Sequence, residues 1–345
     1  MAQRRGGCAP AVLIVVLIIA VGLAVFWWLR NKKEQPPPPS GDELQVHVLD
    51  VGQGDSILIV SPTGKTVLVD AGVPGSGKAV LAAMNRYNVK SIDLFIATHA
   101  HADHIGAADE VIRAVQTQAV LDSGVSNTTK NYQDFLEAVK QSNAKFIQAE
   151  PGQNFDLGGG ARVGVLAPIK PFFTKSELRS GGNEPNANSV VTRLDYGDFS
   201  MLLTGDAEAQ TEERMISKGE NVQAKILKVG HHGSKYATSE DFLSRVKPEI
   251  AIVSDGAQNR YGHPSQETLD RLRAAHVKIY RTDLQGEITI ISKGKGYDIK
   301  AGREAKENEL FAGREAQRDD SARRGFVDYG EYGGPPPRPP KEARK

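Results

Sequence analysis

The chain has 345 residues, 43 Lys and Arg against 42 Asp and Glu for a formal net charge of +1, and 39% hydrophobic residues. That length suffices for one large core with appendages, and the near-neutral balance gives no global attraction to nucleic acid or anionic lipid. The single cysteine, Cys8, precedes the first apolar run, so the folded part is excluded from disulfides, thiolate nucleophiles and cysteine-rich zinc sites.

After a short arm (residues 1–10), the stretch 11–29, from Ala11 to Leu29, is uncharged and almost wholly apolar, the length of a helix that spans a bilayer. Arg4 and Arg5 before it, Arg30, Lys32 and Lys33 after it, and Trp27 and Trp28 at its end read as a transmembrane helix. A cleaved signal peptide, with Gly22 and Ala24 near the cut, fits less well, because its apolar region normally runs to about 7–15 residues. With the arm kept inside, the remainder is expected outside the cytoplasm, as a single-pass protein of the cell membrane. Residues 30–43, with four consecutive prolines from Pro36, form a stiff extended linker.

The pattern then becomes α/β. Strands are predicted at 44–49, 56–60 and 66–69, a helix at 78–87, and a buried strand at 92–97. Helices at 108–117 and 132–142 precede strands at 163–166, 190–194 and 201–203. A helix at 208–218, a strand at 225–229, a helix at 239–246, a strand at 250–253 and a helix at 265–275 follow, with strands at 277–280 and 287–291 last. Two half-sets of strands, each followed by helices, suit a sheet-on-sheet core with helices outside, within a folded domain of residues 44–300. From Ala301 the apolar periodicity stops. Ala301-Gly302-Arg303-Glu304-Ala305 recurs as Ala312-Gly313-Arg314-Glu315-Ala316, and the end is proline-rich. Residues 301–345 read as a disordered tail whose prolines would suit an SH3-like protein partner.

Six of the eight histidines fall in three short stretches. Thr98-His99-Ala100-His101-Ala102-Asp103-His104 follows an apolar strand. Alternate residues of an extended segment point the same way, so His99 and His101 can share one cation, while Asp103 and His104, at the turn into a helix, can face a second. Imidazole with carboxylate suits Zn²⁺, Mn²⁺ or Fe²⁺ better than Ca²⁺ or Mg²⁺. A metal pair needs a bridging anion, and Asp206 ends the strand-like Leu202-Leu203-Thr204-Gly205-Asp206. His231-His232-Gly233-Ser234 also ends a strand, and His263-Pro264-Ser265 precedes a helix, where Ser265 could equally be a plain N-cap. One or two of His231, His232 and His263 should complete the site. His47 and His276 lie outside any motif and are expected at the surface.

From about Leu44 to Ile291 the chain resembles the β-lactamase-like hydrolase domain at the C-terminus of ComEC/Rec2 competence proteins, a branch of the metallo-β-lactamase superfamily. The residues that carry the resemblance begin with Leu49-Asp50-Val51-Gly52-Gln53-Gly54-Asp55-Ser56 and Leu68-Val69-Asp70-Ala71-Gly72. The histidine motif follows, then Asn188-Ser189-Val190, Thr204-Gly205-Asp206, His231-His232-Gly233-Ser234 and Tyr261-Gly262-His263-Pro264. The resemblance implies an αββα four-layer sandwich with two divalent transition metals, zinc or manganese, at one edge between the sheets. It makes Asp70 the carboxylate that orients the metal-loop residues. Where the superfamily usually has another histidine, this chain offers Asn186 and Asn188. The competence channel has many spans and this chain one, so DNA translocation is not implied.

The chemistry implied is metal-assisted hydrolysis. Asp103 would hold the attacking water, a histidine among His231, His232 and His263 would protonate the leaving oxygen, and Ser234 and Lys235 would bind a substrate phosphate or carboxylate. A phosphodiesterase or nuclease acting on nucleic acid or a smaller phosphodiester is favoured by family analogy, with no long basic stripe to support it. Hydrolysis of an amide, lactone or thioester, and a non-catalytic anchored metal-binding module, are the alternatives. Gly72-Val73-Pro74-Gly75-Ser76-Gly77-Lys78 nearly spells a P-loop, but Ala79 stands where the Mg²⁺-binding hydroxyl belongs. Gly52-Gln53-Gly54 lacks the third glycine of a dinucleotide fingerprint, and there is no G-x-S-x-G nucleophile elbow.

Overall fold

The computed structural model describes residues 41–179, 183–257 and 259–314. The expected membrane helix at 11–29 lies outside the described residues. Among those described, no helix is long and apolar enough to cross a membrane.

In chain order the strands are β1 Leu44–Val48, β2 Ile57–Val60, β3 Thr66–Val69, β4 Ser91–Ala97, β5 Gln116–Asp122, β6 Lys145–Gln148, β7 Asn154–Gly158 and β8 Ala161–Ala167. They continue as β9 Val191–Tyr196, β10 Phe199–Leu203, β11 Ile226–Lys228, β12 Ile250–Val253, β13 Lys278–Arg281, β14 Ile288–Ser292 and β15 Asp298–Ala301. The α-helices are α1 Gly77–Arg86, α2 Ala102–Ile105, α3 Ala108–Ala114, α4 Lys130–Ser142, α5 Glu184–Ala187, α6 Ala209–Ser217, α7 Glu240–Val246, α8 Gln266–Ala274, α9 Thr282–Gln285 and α10 Glu307–Leu310.

Two mixed sheets result. One runs β15-β14-β1-β2-β3-β4-β5-β6 and the other β13-β12-β11-β10-β9-β8-β7. Strands β3 to β6 are parallel, as are β10 to β13, because a helix returns the chain between most of these neighbours. Side-chain alternation divides the core into three slabs. Val67, Val69, Leu94 and Ile96 meet Val163, Leu194, Met201 and Ile252 between the sheets. Leu68 and Phe95, one residue out of phase, pack outward on Val80, Met84, Val111 and Phe135 of the helices. Leu202, Leu227 and Val253 pack outward on Met215, Phe242, Leu269 and Leu272. The layers are therefore helix, sheet, sheet, helix.

Several elements differ from expectation. The helix expected to reach 117 stops at Ala114, because Val115 is extended (ψ 150°) and leads into β5. Strands β6 and β7 are largely exposed edge strands of polar residues, which leave little alternation to read. The tail expected to be disordered from 301 continues as far as Arg314 in defined structure. There β15 pairs with β14, and α10 lies against the buried Arg281. His47, expected at the surface, is 1% exposed; its ring stacks on Tyr87 at 3.5 Å between centroids, and Nδ1 sits 3.1 Å from Thr289 Oγ1. His276 is exposed as expected.

Candidate metal centre

The histidine motif begins where β4 ends. His101 is still extended (φ −84°, ψ 151°) and caps α2, so Asp103 and His104 fall in the first helical turn. The segment is pinned from below by Asp70, the residue after β3, which is fully buried with a left-handed φ of 57°. Asp70 Oδ1 accepts from Thr98 N (2.9 Å), and Oδ2 accepts from Thr98 Oγ1 (2.7 Å) and lies 2.7 Å from His104 Nδ1. That contact consumes one ring nitrogen of His104 and turns Nε2 toward the centre.

Asp206 comes from the opposite sheet, three residues beyond Leu203 at the end of β10. Gly205 lets the chain pass Thr98, because a Cβ at that position would stand 2.9 Å from the Thr98 Cβ. Gly54 is tighter still, since a Cβ there would fall 2.0 Å from the Asp103 carbonyl oxygen, which accepts from Asp55 N.

Around Asp206 the donors divide into two sets. On the Oδ1 side stand His104 Nε2 at 3.2 Å and His232 Nε2 at 3.5 Å, with Asp103 Oδ2 3.3 Å from His232 Nε2. One ligand atom from each of Asp103, His104, Asp206 and His232 lies within 4.8 Å of the others, and all four residues are buried. On the Oδ2 side stand His99 Nε2 and His231 Nε2, each at 3.8 Å, and His101 Nδ1 lies 3.0 Å from His99 Nε2. Asp206 is fully buried, yet neither of its side-chain oxygens has a hydrogen-bond donor. A buried carboxylate in that state is costly unless a cation or a proton faces it.

The charge pattern fits a cation. Burial pushes Asp206 and Asp103 up, but the facing imidazoles outweigh it and hold both below the usual carboxylate range. Against the pull of burial, Asp206 and the other carboxylates raise His104 well above its ordinary value and His232 to about 9. The carboxylates thus favour positive charge at this centre, which divalent metal ions would supply. Burial, with His104 and His101 nearby, drives His99 well below its ordinary value, which leaves a neutral imidazole suited to ligation.

His231 and His232 are consecutive left-handed residues (φ 46° and 51°) between Gly230 and Gly233, and this turn sends their rings to opposite sides of Asp206. His232 is anchored by Nδ1 on the Ser254 carbonyl at 2.9 Å. His263 stands outside the four-residue cluster, its ring 5.2 Å from that of His231 and 6.5 Å from that of His232. Its N–H donates to Asn259 Oδ1, its carbonyl accepts from Asn259 Nδ2, and its Nδ1 is buried without a partner. Burial first, then His231 and His232, lower its pKa to about 3.

The two asparagines separate. Asn186 faces the centre, with Nδ2 3.3 Å from His231 Nε2 and Oδ1 unpartnered. Asn188 points elsewhere: its amide is used by Phe173 N, Phe173 O and the Glu184 carbonyl, so it shapes the loop ahead of α5. The Ser234 hydroxyl is turned to its own loop, accepting from Tyr236 N at 3.4 Å, and Ser265 is the N-cap of α8. Lys235 is exposed and lines a cavity with Glu208 and Arg271.

Sequence reading missed Glu208, whose Oε1 lies 3.5 Å from His231 Nδ1, and the buried pair Lys228–Asp55. A lysine inside the apolar run Ile226–Lys228 was a signal that could have found the latter.

A family model described as the metallo-beta-lactamase superfamily matches residues 49–171. ComE operon protein 3 of Bacillus subtilis is 30% identical over 264 residues, covering 71% of this chain and 33% of that protein. Recombination protein 2 of Haemophilus influenzae is 31% identical over 254 residues, covering 71% of this chain and 28% of that protein. Competence protein ComA of Neisseria gonorrhoeae is 30% identical over 264 residues, covering 76% and 34%. The matched segment thus spans about a third of the length of these relatives.

Proposed function

This chain carries a domain of the metallo-β-lactamase superfamily, of the ComEC/Rec2 type, and on that premise we propose a binuclear metal-dependent hydrolase that cleaves phosphodiesters. The observation that carries the reading is Asp206, buried and with no hydrogen-bond partner on either side-chain oxygen, with imidazoles on both sides. In this reading Asp206 would serve both ions: Asp103, His104 and His232 would hold one, and His99, His101 and His231 the other, with His231 taking the part of the histidine usual in the superfamily near Asn186 and Asn188.

When bound, the ions supply a water that ionises near neutral pH and positive charge for the substrate oxygens. The protein's own groups do the rest. Asp103, at 8% exposure the least enclosed of the four cluster residues, orients the water as it enters. Asp70 holds His104 in one tautomer. His263, left over from ligation, is a neutral imidazole beside His231 and would hydrogen-bond the leaving oxygen. Phosphodiester substrates are favoured because the relatives are named for recombination and competence. The apolar stretch from Ala11 to Leu29 supports a single-pass anchor with the hydrolase domain outside the cytoplasm, and the proline-rich end supports a protein partner.

The test is turnover of bis-p-nitrophenyl phosphate and of single- and double-stranded DNA with Mn²⁺ or Zn²⁺, beside a metal count per chain. Cleavage that needs metal and falls to background in His101→Ala is expected, with two ions bound. Two ions without phosphodiester cleavage would move the assignment to amide, lactone or thioester substrates, and no bound transition metal would sink the hydrolase reading.

A further inference from the structure

Each histidine that faces Asp206 has a second ring nitrogen, and the partner of that nitrogen decides which one is left for an ion. On the Oδ1 side, His104 Nδ1 lies 2.7 Å from Asp70 Oδ2, and His232 Nδ1 lies 2.9 Å from the Ser254 carbonyl oxygen. On the Oδ2 side, His99 Nδ1 lies 3.1 Å from Thr98 Oγ1. That hydroxyl donates to Asp70 and so has its lone pairs to offer the imidazole.

His231 completes the series. Its Nε2 stands 3.8 Å from Asp206 Oδ2 and its Nδ1 3.5 Å from Glu208 Oε1, so the ring lies between two carboxylates. Glu208 is 2% exposed, and its Oε1 has no hydrogen-bond partner. A buried carboxylate oxygen in that condition is costly, and an imidazole N–H beside it relieves the cost. The separation exceeds an ordinary N–H···O bond by about 0.6 Å. Asn186, with Nδ2 3.3 Å from His231 Nε2 and 3.5 Å from Nδ1, brings a donor and does not supply the acceptor.

The chain places Glu208 for this task. It lies two residues past Asp206, at the N-cap of α6, and its side chain caps no helix N–H. Its carbonyl accepts from Thr211 N and Glu212 N, and the next N–H, of Ala209, donates to the Tyr236 carbonyl. His231 N in turn donates to the Gly205 carbonyl at 3.2 Å, which ties its turn to the Gly205–Glu208 segment. The main chain is thus fixed on both sides of the Glu208–His231 contact.

We infer that Glu208 is a positioning residue for His231. It accepts from Nδ1–H, keeps the tautomer whose Nε2 faces Asp206, and so sets the affinity for the ion on the side of His99, His101 and His231. Asp70 does the same through His104 for the other side, so each half of the centre has its own carboxylate behind a histidine. The inference rests on the binuclear reading and says which residue governs the second ion.

The test is metal binding by the full chain, read as Zn²⁺ per chain after equilibrium dialysis and as competition with a chromophoric chelator. Wild type should hold two ions. Glu208→Ala should weaken one of them by about 10–100-fold and leave the other at its wild-type affinity. Glu208→Gln keeps an oxygen acceptor and should lose less. Glu213→Gln, which removes an exposed carboxylate from the same helix, should lose nothing. Both ions unchanged in Glu208→Ala, both weakened alike, equal losses in Glu208→Gln and Glu208→Ala, or a matching loss in Glu213→Gln would overturn the assignment. Fewer than two ions in wild type would instead defeat the binuclear reading, before any variant is compared.

Discussion

Lys228 Nζ stands 2.8 Å from Asp55 Oδ2, with both side chains shut off from solvent. Lys228 ends β11 in one sheet, and Asp55 precedes β2 in the other, so the pair ties the sheets together beside the centre. Asp55 N donates to the Asp103 carbonyl, and Asp55 Oδ1 lies 3.6 Å from His232 Nδ1. Removing one partner leaves a buried charge uncompensated, which typically costs about 3–5 kcal/mol, whereas replacing both with apolar residues is often neutral. Lys228→Met alone should therefore lower the urea midpoint strongly, and Lys228→Met with Asp55→Leu should recover most of it. A double variant no more stable than Lys228→Met would show that the attachment of Asp55 to the Asp103 loop matters more than the charge.

Asp70 makes no contact with Asp206, yet it decides which nitrogen of His104 faces the centre. Carboxylates in this relation to a ligand typically change metal affinity by about 10–100-fold when replaced. Asp70→Asn should weaken metal binding by that factor in a chelator competition while the ligands remain. Unchanged affinity would reduce Asp70 to a backbone clamp for Thr98.

Metal should also stabilise the fold. An ion that binds only the folded state adds about 2.7 kcal/mol when its concentration is 100 times its Kd. Calorimetry with increasing Zn²⁺ or Mn²⁺ should show a rising Tm, a chelator should reverse it, and Asp206→Asn should remove most of the rise. An undiminished rise in Asp206→Asn would place the ions elsewhere.

Much of this site was legible because its donors are close in sequence. His99, His101, Asp103 and His104 follow one buried strand, and a strand end dictates their directions. The three later histidines resisted reading for a physical reason. Two successive left-handed residues, His231 and His232, obey neither helical nor strand periodicity, so only the folded turn shows that their rings part around Asp206. Asn186 and Asn188 are two residues apart where α5 ends, and their opposite employment is equally invisible to pattern. Residues 301–314 looked disordered because they are polar. They are held by hydrogen bonds to a buried arginine, which composition does not register.

His47 gives the fold an acid sensitivity of its own. Burial, and then Arg86, lower its pKa to about 3, against 6.5 for an exposed imidazole. Between those values the unfolded chain binds a proton that the folded chain refuses, so stability is intact above pH 6.5 and falls as pH drops toward 3. The slope from one such group approaches about 1.4 kcal/mol per pH unit. His47→Gln should lose less stability than wild type between pH 6.5 and 4.5. Since both proteins release metal alike, the difference between their urea midpoints isolates this group, and parallel curves would rule it out.

The chain from Lys306 to Arg314 acts as a clasp on the loop that carries His263. Arg281, 1% exposed, forks onto Asp283 (3.0 and 2.8 Å) and donates to the carbonyl oxygens of Leu310 (3.0 Å) and Ala312 (2.7 Å). Arg314 returns to the same carboxylate at 2.9 Å, and its backbone N–H donates to the Pro264 carbonyl at 3.1 Å. Asp283 is pushed up by burial, but Arg281 and Arg314 hold it below its ordinary range. Ending the chain after Arg303 removes Arg314 from Asp283 and the Leu310 and Ala312 carbonyls from Arg281, and hydrogen bonds to charged groups are worth about 1.5–3 kcal/mol each. That truncation should lower Tm by several degrees and speed amide exchange across 259–264, with kcat falling as His263 loses its setting. Ending the chain after Arg314 keeps every one of these bonds and should leave Tm and exchange at wild-type values. If both truncations behave alike, the clasp does not hold the loop, and Asn259 alone must set the position of His263.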